Sequence, residues 1–180
     1  INKNIVAKLQ NLECNAIGFS GADGNLIKAE KRTNSTIDYG FVGDVEAKSV
    51  NANLLQKFLE LQLTPVFSAI THNQKGDLFN TNADSIASVL AQSLAEIYDV
   101  ELLYCFDKDG VLEEVENPNS IVKALNPVKY QELNSNGKLH QGILPKLKNA
   151  FLAKEKNVNK VVLLNETKLQ NQISHQNEGT

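Results

Sequence analysis

Asn80-Thr81-Asn82-Ala83-Asp84-Ser85 opens a run in which Ile86, Val89, Leu90, Leu94 and Ile97 recur at helical spacing, and Val100 to Phe106 follows as an apolar run ending in Asp107-Lys108-Asp109-Gly110. A capped amphipathic helix leading into a buried-type strand is half of an alternating β/α pattern. The alternation extends in both directions. Upstream, Thr64 to Ile70 reads as a strand covered on both faces, and Leu54, Leu55, Phe58 and Leu61 mark a helix over 51–61. Before these lie two strands at 25–32 and 40–50, predicted to be antiparallel, a strand over Cys14–Phe19, and a helix carrying Ile5, Leu9 and Leu12. Downstream, helices are expected at 119–125, 127–135 and 143–156, then a strand at Lys160–Leu164 and a surface loop over 165–178. Strands alternating with helices predict an α/β protein, a three-layer α-β-α sandwich with an open, mostly parallel central sheet. Ligands of such sheets bind at the carboxyl ends of the strands. That directs attention to Ser20–Gly24, Ile70–Gly76 and Asp107–Gly110.

The composition narrows the function. The chain has 180 residues, 42% of them hydrophobic and 22% charged, with a net charge of −3. That balance is ordinary for a globular protein and lacks the basic surface that nucleic-acid binding requires. No apolar stretch approaches the roughly 20 residues of a membrane span. Cys14 and Cys105 read as two buried free thiols of a reducing, cytoplasmic compartment, and His72, His140 and His175 are too scattered for a zinc site. The chain opens at Ile1 inside a helix pattern, so a segment preceding it is expected.

Three segments have the chemistry to bind anions. In Asn80-Thr81-Asn82-Ala83-Asp84, Asn82 suffices as an N-cap and Asp84 suits the first turn; the further polar groups suggest a cluster aimed at a ligand. Asp107-Lys108-Asp109-Gly110 closes a strand, either as a plain Asx-type turn or as a nucleotide loop whose Asp accepts hydrogen bonds. In Gly142-Ile143-Leu144-Pro145-Lys146, proline begins a helix in the usual way, but a lysine in the first turn opposes the helix dipole. It becomes sensible if an anion shares that terminus. Lys148, Lys154 and Lys156 read as a solvated face. Gly18-Phe19-Ser20-Gly21-Ala22-Asp23-Gly24 matches neither the dinucleotide fingerprint nor a Walker loop and reads as a turn.

Taken in order, with Tyr39-Gly40-Phe41-Val42-Gly43-Asp44-Val45 and the closing Gly179-Thr180, these segments resemble the acetylglutamate kinase branch of the amino-acid kinase family over nearly the whole chain. The resemblance implies an acceptor-binding and dimerising lobe over 1–98 and an ATP-binding lobe over 99–180. It implies ATP and Mg²⁺ as cofactors, a homodimer, and transfer of the γ-phosphoryl group to the side-chain carboxylate of an N-acyl-glutamate in arginine biosynthesis. Asn80, with Asn82 beside it, would hold the substrate's α-carboxylate. Asp84 would orient the catalytic lysines, Lys146 would stabilise the transferring phosphoryl group, and Asp107 and Gly110 would belong to the nucleotide pocket; no residue is assigned to a metal. An ionised carboxylate acceptor needs no general base, which agrees with the lack of a histidine-based constellation. The family's N-terminal catalytic lysine, glycine pair and substrate-binding arginine have no counterpart here, and His140 stands where a small glycine-rich turn is usual. Another acceptor (aspartate, glutamate, carbamate, a nucleoside monophosphate) and a non-catalytic regulatory domain on the same fold are the alternatives.

Overall fold

The computed structural model describes all residues except 35, 115, 116, 118, 119, 140, 141 and 175–178. The expectations for His140 and His175 therefore lie outside the described residues. The chain divides into two compact units, Ile1–Ile97 and Tyr98–Thr180.

In the first unit, helix α1 (Asn2–Asn11) lies against strand β1 (Ala16–Phe19). Lys3 Nζ donates to the Gly18 carbonyl at 2.7 Å and Asn2 Nδ2 to the Val66 carbonyl at 2.8 Å. A β-carbon on Gly18 would displace the Asn2 side chain from α1's contact with the strand. β1 pairs in parallel with β4 (Thr64–Phe67), Ala16 opposite Thr64 and Phe19 opposite Phe67. Helix α2 (Ala52–Glu60) is capped by Asn51, whose Oδ1 accepts from the Leu54 N–H at 3.2 Å. Phe19, Leu26, Ile27, Leu55 and Ile86 form the core, and the Phe19 ring sits 4.9 Å from Phe58 and 5.8 Å from Phe67.

The expected strand over 64–70 is broken at Ser68-Ala69. Ser68 N–H closes the pairing with the Phe19 carbonyl, and the chain then enters β5 (Ile70–His72), which pairs antiparallel with β6 (Leu78–Asn80). Thr64–Phe67 is also half-buried to exposed rather than covered on both faces, and among the described residues β4 pairs only with β1. The long strands expected at 25–32 and 40–50 shrink to β2 (Glu30–Lys31) and β3 (Gly43–Asp44), antiparallel as predicted. Asp23–Asn25 and Ala47–Ser49 are 3-10 turns instead; the second is closed by a capping box between Glu46 and Ser49. Helix α3 (Ala83–Leu94) begins at the predicted cap, with Asn82 Oδ1 accepting from the Ser85 N–H at 3.0 Å. It ends before Ile97.

In the second unit, β7 (Glu101–Phe106) pairs in parallel with β8 (Lys160–Asn165) over their whole length. Helix α4 (Pro127–Ser135) is capped by Asn126, and α5 (Leu144–Glu155) has Pro145 in its first turn. The helix expected at 119–125 is absent among its described residues, 120–125: Ile121 bridges Leu112, the Val122 N–H donates to the Val111 carbonyl at 2.8 Å, and Lys123-Ala124 is a bend. The proline at 127 disfavours helical geometry immediately before it. The stretch after β8, expected to be loop, holds a 3-10 turn at Glu166–Lys168 and helix α6 (Leu169–Ile173), with Gln172 buried. Cys14 is half-buried in the loop before β1 and Cys105 is exposed on β7, so neither is the buried strand thiol expected. Among the described residues no helix is long and apolar enough to cross a membrane.

Candidate functional site

In the first unit, Asn80 ends β6 and Asn82 caps α3, so both face outward at the junction from hairpin to helix. Asn80 is held through its backbone: its N–H donates to the Phe41 carbonyl at 2.8 Å, and it bridges Val42. Thr81, between them, is buried. Its hydroxyl lies 2.7 Å from that of Thr71 and donates to the Gly43 carbonyl at 3.2 Å. A β-carbon on Gly43 would come within 2.8 Å of Phe79 Cβ and 2.9 Å of Ala29 Cβ, so the Tyr39–Val45 stretch can reach the hairpin only with glycine there. Its alternate glycine, Gly40, takes φ 66°, where glycine is favoured. The threonine pair was not legible beforehand; Thr81 showed only as a spacer between two asparagines.

Asp84 sits half-buried in the first turn of α3, where a carboxylate complements the dipole. Arg32, the only arginine in the chain, is committed to Asp44: Nε lies 3.0 Å from Oδ1 and 3.1 Å from Oδ2, and the guanidinium covers the Tyr39 ring at 5.6 Å. It is thus no stand-in for a free carboxylate-binding arginine. The Ser20–Gly24 loop is the turn it reads as. Asp23 accepts from the Ser20 N–H at 2.6 Å and its hydroxyl at 2.8 Å, and the backbone bond above all holds the Asp23 carboxyl below its usual range. Gly21 is packed against Ile27 and Thr71, with its N–H donating to the Ile70 carbonyl at 2.7 Å.

In the second unit, Asp107, Gly110 and Lys146 line one cleft of about 390 Å³ at the carboxyl end of β7. Lys146 comes from the first turn of α5, 39 positions from Asp107 in sequence, and only the fold brings them together. Lys108 and Lys138 line the same cleft and were not singled out for it; nothing in the sequence pattern marks Lys138. Three lysines against one aspartate, with a helix N-terminus and the apolar walls of Phe106, Val111 and Ile143, suit a ligand with a polyanionic end and an apolar end. Across the loop, Lys168 Nζ pairs with Asp109 Oδ2 at 3.0 Å. No group of three or more His, Cys, Asp or Glu among the described residues is placed to hold a metal.

A sequence model of the amino acid kinase family matches residues 1–165. The chain is 47% identical over 164 residues to an acetylglutamate kinase of Cytophaga hutchinsonii, covering 91% of this chain and 61% of that one. It is 45% identical to an acetylglutamate kinase of Azobacteroides pseudotrichonymphae, covering 100% of this chain and 68% of the relative. The chain thus spans about three fifths to two thirds of the length of these relatives. Among solved structures, smu.665 from Streptococcus mutans superposes with a TM-score of 0.76 at 25% identity, over 90% of this chain and 62% of that one. An isopentenyl phosphate kinase superposes at 0.67 and 14% identity, over 99% and 64%. At that identity the likeness is one of fold.

Proposed function

The chain belongs to the amino acid kinase family, whose α/β fold it adopts, and on that premise we propose that it serves ATP-dependent phosphorylation of the γ-carboxylate of an N-acyl-L-glutamate, with the acetyl group as the default acyl. The observation that carries the nucleotide half of this reading is the lysine-rich cleft of the second unit, where Asp107, Gly110 and Lys146 converge. The acceptor half rests on the likeness to acetylglutamate kinases and on the Asn80–Asp84 junction of the first unit.

The chemistry asks little of the protein beyond placement and charge. A glutamate γ-carboxyl, with an ordinary pKa of about 4.3, is ionised at neutral pH and attacks without a base. Lys146 neutralises charge that builds on the transferring phosphoryl group, with Lys108 and Lys138 supporting the polyphosphate. The backbone N–H groups at the start of α5 add a fixed positive potential. Asp107 accepts hydrogen bonds from the nucleotide. Asn80 donates its amide N–H to the acceptor's α-carboxylate, Asn82 flanks it, and Asp84 orients cationic groups of the reaction. Mg²⁺ would be held mainly by the nucleotide's phosphates and water, supplying charge neutralisation when bound. A homodimer and a cytoplasmic setting complete the reading. In this assignment the acceptor belongs to residues 1–98 and the nucleotide to residues 99–180.

The test is a coupled assay of ADP release by the full-length protein with Mg²⁺, offering N-acetylglutamate, N-succinylglutamate and free glutamate in parallel. Turnover with an N-acyl-glutamate and little with free glutamate is expected. A protein that binds ATP but turns over only aspartate, carbamate or a nucleoside monophosphate would overturn the acceptor assignment.

A further inference from the structure

Resting on the nucleotide reading of the second-unit cleft, we propose that Gly179-Thr180 is a clasp that sets the position of the nucleotide loop, with Thr180 as its positioning residue. Thr180 docks as an extra pair on the edge of β8. Its N–H donates to the Leu163 carbonyl at 3.0 Å, and the Leu163 N–H donates back at 2.9 Å. Gly179 makes that approach possible. It takes φ 84°, and a β-carbon there would strike the Leu163 carbonyl and come within 2.9 Å of Leu164 Cβ.

From this fixed point the Thr180 hydroxyl reaches across to the loop that follows β7. The Val111 N–H donates to Thr180 Oγ1 at 3.0 Å, and Val111 is buried. Gly110 takes φ 156°, and a β-carbon on it would lie 2.6 Å from Thr180 Oγ1 and 3.1 Å from Ile121 Cγ2. Gly110 is therefore glycine because the clasp occupies the space of its side chain. A second tether runs the same way: Lys168, in the turn after β8, holds Asp109 at 3.0 Å. Both restraints come from the segment after β8, and both act on Asp107–Val111, whose residues Asp107 and Gly110 line the cleft. Thr180 itself does not line that cleft, so it works through the loop it holds.

A loop held in its bound geometry spares the ligand the cost of ordering it. Losing one hydrogen bond of the clasp should weaken nucleotide binding by about five- to tenfold. The experiment uses the full-length protein and compares wild type, Thr180→Val, Thr180→Ala, Thr180→Ser and Lys168→Gln. Titration calorimetry with MgADP and steady-state kinetics in both substrates are the readouts. Thr180→Val keeps the volume and loses the acceptor. It is expected to raise Kd for MgADP and KM for ATP by about five- to tenfold, with kcat and the acceptor KM within about twofold of wild type. Thr180→Ser should restore the wild-type values, and Lys168→Gln should raise KM for ATP by a smaller factor. Should Thr180→Val fold poorly, Lys168→Gln, altering an ion pair partly open to solvent, tests the second tether alone. A wild type that binds no MgADP overturns the nucleotide reading and this inference with it. Wild-type binding together with unchanged affinity in Thr180→Val overturns the inference alone; should that variant fold poorly, unchanged affinity in Thr180→Ala, which also lacks the hydroxyl, overturns it.

Discussion

Gly43 and Thr81 meet at a distance that leaves no room for a side chain: a β-carbon on Gly43 would stand 2.9 Å from Thr81 Oγ1, the hydroxyl that donates to the Gly43 carbonyl at 3.2 Å. Through this contact β3 presses on the segment between Asn80 and Asn82. The position of the two asparagines is thus set from behind, by buried groups that face away from any ligand.

Replacing Gly43 with alanine forces apart Phe79, Ala29 and Thr81, all three of them buried. We expect Gly43→Ala to cost about 1–3 kcal/mol of stability, the usual range for overpacking a tight site. Denaturant titration with an unchanged slope measures it. The acceptor KM should rise while the KM for ATP stays put, since the damage lies in the first unit. Full stability in the alanine variant would show that the packing is looser than described.

The Thr71 and Thr81 hydroxyls, 2.7 Å apart and both buried, form a pair in which each depends on the other. Thr81→Val leaves the Thr71 hydroxyl without that partner and should cost about 1–3 kcal/mol. The double replacement with valine should cost less than the sum of the singles, because the Thr71 hydroxyl is no longer stranded and the loss of the Gly43 carbonyl's donor is counted only once. A double-mutant cycle from thermal melts decides it; strict additivity would mean that the hydroxyls do not interact.

Regular elements with strong caps were readable in advance. Helix α3 begins at Asn82 and α4 at the Asn126-Pro127 junction because a side-chain cap or an N-terminal proline is local information. The break at Ser68-Ala69 was not readable. Ser68 is the one polar residue inside the 65–70 run, too weak a signal to mark where the partner strand stops, and here it stops at Phe19. Helix α6 lies in an Asn- and Gln-rich stretch without apolar periodicity, so neither the helix nor the burial of Gln172 could be read from the pattern. The site shows the same division. Lys146 stood out as a cation at a helix start, but its convergence with Asp107 and Lys138 depends on how β7, α4 and α5 pack. The hydroxyl of Thr180 filling the space beside Gly110 is a tertiary fact that no spacing foretells.

Asn80 is exposed and makes its described hydrogen bond through the backbone, so its side chain can be removed without unpicking the hairpin. Asn80→Ala should leave stability within the small range of surface substitutions, about 0.5 kcal/mol, as thermal melts would measure. Its effect should fall on the acceptor: KM for N-acetylglutamate up by about tenfold or more, KM for ATP nearly unchanged. Equal rises in both would remove Asn80 from the acceptor site.

Asp23 gives a pH signature with a definite sign. Hydrogen bonds from the Ser20 N–H and hydroxyl lower its folded-state pKa. A depressed carboxyl stabilises the fold above the unfolded value of about 3.9 and loses that contribution as pH falls through the lower, folded value. Asp23→Asn should therefore be less stable than wild type at pH 7, and the gap should begin to narrow as pH falls through the unfolded value of about 3.9 and close below the folded one. The group is largely exposed, so the gap should be small and shrink with added salt. A gap that does not narrow at all as pH falls below about 3.9 would mean that the charge of Asp23 contributes nothing.

Lys146 is the sharpest test of the proposed reaction. It lies in the first turn of α5, where the dipole makes a cation unfavourable, and it lines the cleft with Asp107 and Gly110. Lys146→Ala should leave folding intact, as a cleft-lining substitution outside the core. If the lysine neutralises charge in the transition state, turnover should drop by about two to three orders of magnitude, the scale seen when one preorganised donor is lost. Because that charge is largest in the transition state, kcat should fall far more than KM for ATP rises. Lys146→Arg keeps the charge but changes its shape and should recover only part of the rate. A loss confined to KM would make Lys146 a binding group, and unchanged turnover would remove it from the mechanism.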